Sequence, residues 1–198
     1  MLNRKIFTLT ESNSDIIFLT DVRANGKISK LEKKFLYAAN SYLLHSNSSD
    51  KKRGTAILFN KKLNCEVLRT FKDLEQNILA IKAKIRNIVI LLICAYGPNN
   101  DRSEAFYTNL QGIIDNCRCE FIIFGGDLNT TLDPTRIQGP LDHSNLDLFN
   151  MNSNINPLNC ERLNKLLREN KIIDPFRIKN PNKRDYRMIE RMINNSSV

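Results

Sequence analysis

The sequence predicts an α+β protein, and three observations carry that prediction. Short β-branched apolar runs outnumber helical stripes; the middle runs are joined by brief links rich in Asn, Lys and Asp; and only a few amphipathic segments interrupt them. Antiparallel runs with interspersed helices make an α+β sheet protein and not a doubly wound one.

Each element follows from local chemistry. Asp15–Asp21 is too short and too β-branched for a helix and reads as a buried strand ending in a carboxylate. Ser29–Ala39 opens on a capping serine and has apolar residues at helical spacing. Ser46–Lys52 reads as a polar turn. The runs Gly54–Phe59, Asn64–Thr70, Ile78–Ile85 and Ile88–Tyr96 read as strands in antiparallel series. Gly97-Pro98-Asn99-Asn100 breaks the chain. Arg102–Cys117 then forms a helix with Phe106, Leu110, Ile113 and Ile114 inward. A strand over Glu120–Phe124 stops at Gly125-Gly126. Asp127–Pro157 has little regular signal, and Glu161–Asn170 is a last helix.

Composition sets bounds on function. At 198 residues the chain fits one domain, 1–198. No apolar run is long enough to span a bilayer, and the first ten residues lack a signal-peptide pattern, so an intracellular protein without a membrane partner is expected. The five cysteines are odd in number and irregularly spaced, which fits reduced thiols better than a disulfide framework or a zinc site. A net charge of +9 favours a polyanionic partner, nucleic acid first, against the plainer reading of a lysine-rich surface. The stretch from Arg162 to Arg191 is clearly basic.

Three places can carry chemistry. In Phe121-Ile-Ile-Phe-Gly-Gly-Asp-Leu-Asn129 a buried strand delivers Asp127, and Asn129 two residues on faces the same site if the backbone stays extended. The acid can orient a water or manage a proton, while the amide donates to a phosphoryl oxygen. Tyr96 sits where a buried strand meets Gly97-Pro98, and Asp21 is a strand-end carboxylate able to hold Mg²⁺. Taken singly, each has a plainer reading: a capped turn, a core-edge tyrosine and a helix or turn cap.

Their order along the chain is what joins them. The series Asp15–Asp21, Arg53-Gly-Thr-Ala-Ile-Leu58, Ala95-Tyr-Gly-Pro-Asn99, Phe106-Tyr107, Phe124-Gly-Gly-Asp-Leu-Asn129 and Asp174-Pro-Phe-Arg177 resembles the endonuclease/exonuclease/phosphatase family, over about Asp15–Tyr186. The Asp-Pro-Phe-Arg element, followed by Asn180–Tyr186, resembles the endonuclease domains of LINE-type retrotransposons.

The resemblance implies a DNase I-like two-sheet α/β sandwich, four-layer αββα, incomplete at both ends. It implies a Mg²⁺-dependent endonuclease, with Mn²⁺ able to substitute, acting on the DNA phosphate backbone, in the nucleus, with no obligate protein partner. Asp127, Asn129 and Tyr96 match the family's catalytic positions, and Asp21 stands where a metal-binding Glu usually follows Gln. An Asn-bearing first strand, a Ser-Arg-Ile-Asp-like strand and a Ser-Asp-His-like triplet have no counterpart within these residues. Asp142-His143 is no substitute, because Leu141 precedes it and it lies in the loop after Asn129. The expectation is a retrotransposon-derived fragment with impaired activity; the alternative is a non-catalytic, degenerate fragment or weak nucleic-acid binder.

Overall fold

Two central strands, β5 (Ile78–Ile85) and β6 (Ile88–Tyr96), are apolar on both faces, a pattern strands tolerate only when each face is covered. The computed structural model describes residues 14–22, 42–47, 54–98, 103–130, 132 and 157–179, and among these the two covers are plain. Leu79, Ile81, Ala83, Leu92 and Cys94 face one way, onto Ile57 and Phe59 of β3 (Thr55–Asn60) and Ile16 and Phe18 of β1 (Ile16–Thr20). Ile78, Ala80, Leu91, Ile93 and Ala95 face the other way, onto helix α1 (Ser103–Cys117) through Phe106, Tyr107, Leu110 and Ile114. Leu163 and Leu166 of helix α2 (Pro157–Glu169) complete that second core. The period-two alternation of one pair of strands thus builds two cores at once.

One sheet has the order β1-β3-β2, all antiparallel, with β2 spanning Tyr42–Asn47. The other has the order β4-β5-β6-β7, where β4 is Cys65–Lys72 and β7 is Phe121–Asp127. Within it β4, β5 and β6 run antiparallel, whereas β6 and β7 are parallel and α1 makes the crossover. The described layers are therefore sheet, sheet and helices, an α+β sandwich of the DNase I-like kind. The helix expected over Ser29–Ala39 lies outside the described residues.

Several boundaries differ from expectation. Ser46 and Asn47 are not in a turn: they pair with Ala56 and Thr55 as the end of β2. β3 is not a neighbour of β4; a single 3-10 turn, Lys61–Leu63, carries the chain from one sheet to the other. The Asn60 side chain accepts from Lys62 N at 3.0 Å to cap that turn. β7 does not stop at its glycines but runs through both to Asp127. α2 starts at Pro157 rather than Glu161, the position proline favours at a helix start, and Pro175–Lys179 forms a short helix, α3.

Polar groups close the ends of the elements. Lys82 Nζ, on β5, donates to Cys117 O at 2.9 Å, placing a cation on the negative end of α1. Arg162 binds Ser103 and Glu104 (3.3 Å to the carboxylate) and so ties α2 to the start of α1. The two sheet edges are unlike. β4 is guarded by Glu66, Arg69 and Lys72 and by a bulge between Val67 and Arg69. β7 lacks an outer ladder partner among the described residues, and Phe121 and Ile123 are 48% and 43% exposed. All five cysteines are free thiols, and no helix among the described residues is long and apolar enough to cross a membrane.

Two stability predictions follow from buried polar atoms. The Thr55 hydroxyl is fully buried without a hydrogen-bond partner, so Thr55→Val should raise stability by about 1 kcal/mol in urea unfolding. Burial pushes the Cys94 thiol from 9.0 up to about 12, partly offset by backbone hydrogen bonds at Ala56 and Leu19. Above pH 9 the unfolded chain sheds this proton while the folded one keeps it, so stability falls as pH rises toward 12, by roughly 4 kcal/mol at most. Unfolding curves at pH 8 and pH ~10.5 should differ less for Cys94→Ala than for the wild type.

Candidate active site

β6 and β7 end side by side, and their register brings two of the expected residues together: Tyr96 is the strand partner of Asp127. Backbones paired in this way lie about 4.8 Å apart, so the two side chains start from adjacent points. Tyr96 is half-buried and Asp127 exposed. On its other side Tyr96 N donates to Asn77 O at 2.8 Å, which fixes the end of β6 from both neighbours. Asn77 follows a turn braced by Asp73, whose carboxylate accepts from Ile78 N at 2.7 Å. Burial pushes the Asp73 carboxyl up, and backbone hydrogen bonds from Ile78 and Asn77 hold it down.

Past the last strand pair the ladder is continued by a side chain. Gly97 N donates to Asp127 O at 2.7 Å, and Asn129 Nδ2 donates to Gly97 O, also at 2.7 Å. Asn129 is not extended, as the sequence reading had it; its φ of 48° is left-handed, a conformation asparagine accepts more readily than most residues. The turn is closed by Asn129 N donating to Asp127 Oδ1 at 3.1 Å. Asn129 is thus brought back over the strand ends beside Tyr96 by its own carboxamide. An amide nitrogen has two hydrogens, and Gly97 O takes one of them.

Two glycines make the approach feasible. A Cβ at Gly97 would overlap the carbonyl of Leu128, and Gly126, at φ 134°, would drive one into the carbonyl of Ala95. Gly97 was legible in the sequence as a chain break, but not as the acceptor for Asn129.

The fourth residue arrives from the opposite sheet. Leu19 O accepts from Cys94 Sγ at 3.3 Å, and the Phe18 ring lies against Gly125, so the end of β1 is seated on β6 and β7. Asp21 follows in a left-handed conformation at φ 54°, and Val22 N donates to Gly54 O at 3.1 Å. Asp21 therefore follows directly on the end of β1 that is packed against the ends of β6 and β7. Positive φ alone is no mark of this site, since Asn64, Gln76, Arg86, Arg118 and Lys171 share it.

Among the described residues no group of three or more His, Cys, Asp or Glu gathers to hold a metal. Mg²⁺ does not demand one: it is commonly bound through one or two carboxylates plus waters and substrate phosphates. The donor set of Asp21 with a phosphate partner fits that habit. His45 stacks edge-on against Phe59, with ring centroids 5.6 Å apart, on β2 and not among the site residues; His143 lies outside the described residues.

The two-sheet sandwich, with Tyr96 and Asp127 paired where β6 and β7 end, agrees with a comparison over most of the chain. The chain belongs to the Endonuclease/Exonuclease/phosphatase family, whose model matches residues 8–186. An AP endonuclease from Archaeoglobus fulgidus has a similar structure, with TM-score 0.66 and 20% identity over 94% of this chain and 75% of that one. The endonuclease domain of TRAS1, a telomere-specific non-LTR retrotransposon, gives TM-score 0.55 and 12% identity over 85% and 66%. Humanized D. rerio TDP2 gives TM-score 0.49 and 17% identity over 65% of this chain, which spans 55% of that one. No curated protein matches the chain significantly.

Gly97→Ala tests the close approach. It should cost about 2 kcal/mol or more in denaturant unfolding, because the clash is with backbone and not with a movable side chain.

Proposed function

We propose that this chain is a divalent-metal-dependent phosphodiesterase acting on the DNA backbone, an endonuclease domain of retrotransposon type in which residues 1–198 cut weakly. The observation that carries this reading is the register of Tyr96 against Asp127, with the Asn129 amide tied across to Gly97. In that arrangement the second amide hydrogen of Asn129 and the Tyr96 hydroxyl donate to non-bridging phosphate oxygens, where charge builds in the transition state. The Asp127 carboxylate orients the attacking water and accepts its hydrogen bond. Asp21 holds Mg²⁺, or Mn²⁺ in its place. When bound, that ion supplies charge neutralisation at the phosphate.

The net charge of +9 supports a polyanionic substrate, although Arg162 and Lys165 are engaged with Glu104 and Glu169. The retrotransposon origin rests on Asp174-Pro-Phe-Arg177, and a nuclear location follows from a DNA substrate. A second reading, a nucleic-acid binder without catalysis, is favoured by the net charge of +9, which attracts a polyanion whether or not it is cut.

Plasmid nicking tests the choice. Slow nicking that needs Mg²⁺ and drops by about 10² in Asn129→Ala is the expected result. Nicking insensitive to that substitution would refute the assignment of the site. Absent nicking with DNA affinity that falls steeply with salt would establish the binding reading instead.

A further inference from the structure

The end of β1 that carries Asp21 belongs to a different sheet from Tyr96 and Asp127, so something must set the distance between them. Two contacts cross the gap at that end. The Cys94 thiol, fully buried on β6, donates to Leu19 O at 3.3 Å, two residues before Asp21. On β7 a Cβ built at Gly125 would already stand 3.1 Å from Phe18 Cδ2 and 3.5 Å from Cε2, three residues before Asp21. Gly125 is not among the positive-φ glycines, so its missing side chain serves space and not backbone conformation. Behind Asp21 the bond from Val22 N to Gly54 O pins the chain to the start of β3. Asp21 is therefore bracketed on both flanks, and the sheet spacing at Phe18 and Leu19 fixes where its carboxylate begins.

We propose that Cys94 and Gly125 are positioning residues, a spacer between the sheets that sets Asp21 against the Tyr96–Asp127 edge and so governs divalent-ion affinity. The inference rests on the reading of Asp21 as the metal-binding carboxylate. Its physical basis is stiffness: packed sheets do not yield smoothly, and Mg²⁺ and Mn²⁺ sites lose affinity when a ligand shifts by a fraction of an ångström. A Cβ at Gly125 asks the Phe18 ring to yield by a few tenths of an ångström, and a valine asks for more. Losing the thiol removes the hydrogen bond from Cys94 Sγ to Leu19 O that joins β6 to β1.

Mn²⁺ binding to the 198-residue chain with dimethyl phosphate present as the phosphodiester, followed by the free-ion electron paramagnetic resonance signal alongside thermal unfolding, provides the test. Gly125→Val should weaken Mn²⁺ binding about tenfold or more, Gly125→Ala and Cys94→Ala by less, with every variant still unfolding cooperatively. Phe18→Leu added to Gly125→Val should recover much of the affinity by making room, which a mere loss of stability would not do. Gly112→Ala, on α1 with nothing within 4 Å of its Cβ, should bind as the wild type does. If Asp21→Asn abolishes Mn²⁺ binding while Gly125→Val leaves it unchanged, the spacer is refuted and the metal assignment stands. If the wild type binds no better than Asp21→Asn, the metal assignment fails and takes the spacer with it. Weaker binding in Gly125→Val that Phe18→Leu does not relieve also overturns the spacer.

Discussion

The parallel pairing of β6 with β7 is the constraint on which the site depends. Among the described residues it is the one parallel contact in a sheet otherwise built from antiparallel neighbours, and α1 is the crossover that makes it. Because both strands run the same way, both deliver their last residues to the same end, which an antiparallel pair cannot do. Tyr96 and Asp127 become neighbours for that reason alone. The hydrogen bonds that follow, from Gly97 N to Asp127 O and from Asn129 Nδ2 to Gly97 O, extend the pairing past the point where the strands diverge. A turn that read as ordinary in isolation is in this way fastened to a sheet.

The same strands explain why the site is rigid. Each central strand gives alternate residues to two cores, so neither can shift without disturbing both. Displacing β6 toward the helices would compress Phe106 and Leu110 and open the contact with Phe59. Such double-sided burial holds functional groups without using the functional groups themselves as supports.

Much of this was legible in the sequence. The β-branched runs at Ile16–Thr20, Ile78–Ile85 and Ile88–Tyr96 are strong local signals, and the structure places strands there with matching or nearly matching ends. β2 was not legible, because Tyr42–Asn47 mixes polar and apolar residues and its strand character comes from pairing with β3. The partition of β3 and β4 into separate sheets was hidden for a related reason: a three-residue 3-10 turn looks like a hairpin link. Of the candidate residues, Tyr96, Asp127 and Asn129 could be named from the order of the motifs, but the extended-chain argument for Asn129 gave the wrong geometry. Local side-chain bonding to Asp127 and Gly97 overrode the strand period. Cys94 and Gly125 had no sequence signal beyond a buried thiol and one glycine of a pair, since their partners Leu19 and Phe18 lie on another sheet.

Among the described residues β7 has no outer ladder partner, and that flank has a consequence for the molecule in concentrated solution. Its ladder from Phe121 to Gly126 has no charged residue, and two of its large apolar side chains are about half bare. Copies that met along this flank could zip together through their backbones, a route toward precipitation. The surplus of cations holds such encounters off by mutual repulsion, and a polyanion or strong electrolyte would weaken that barrier. Colloidal behaviour and ligand attraction are thus set by one and the same charge.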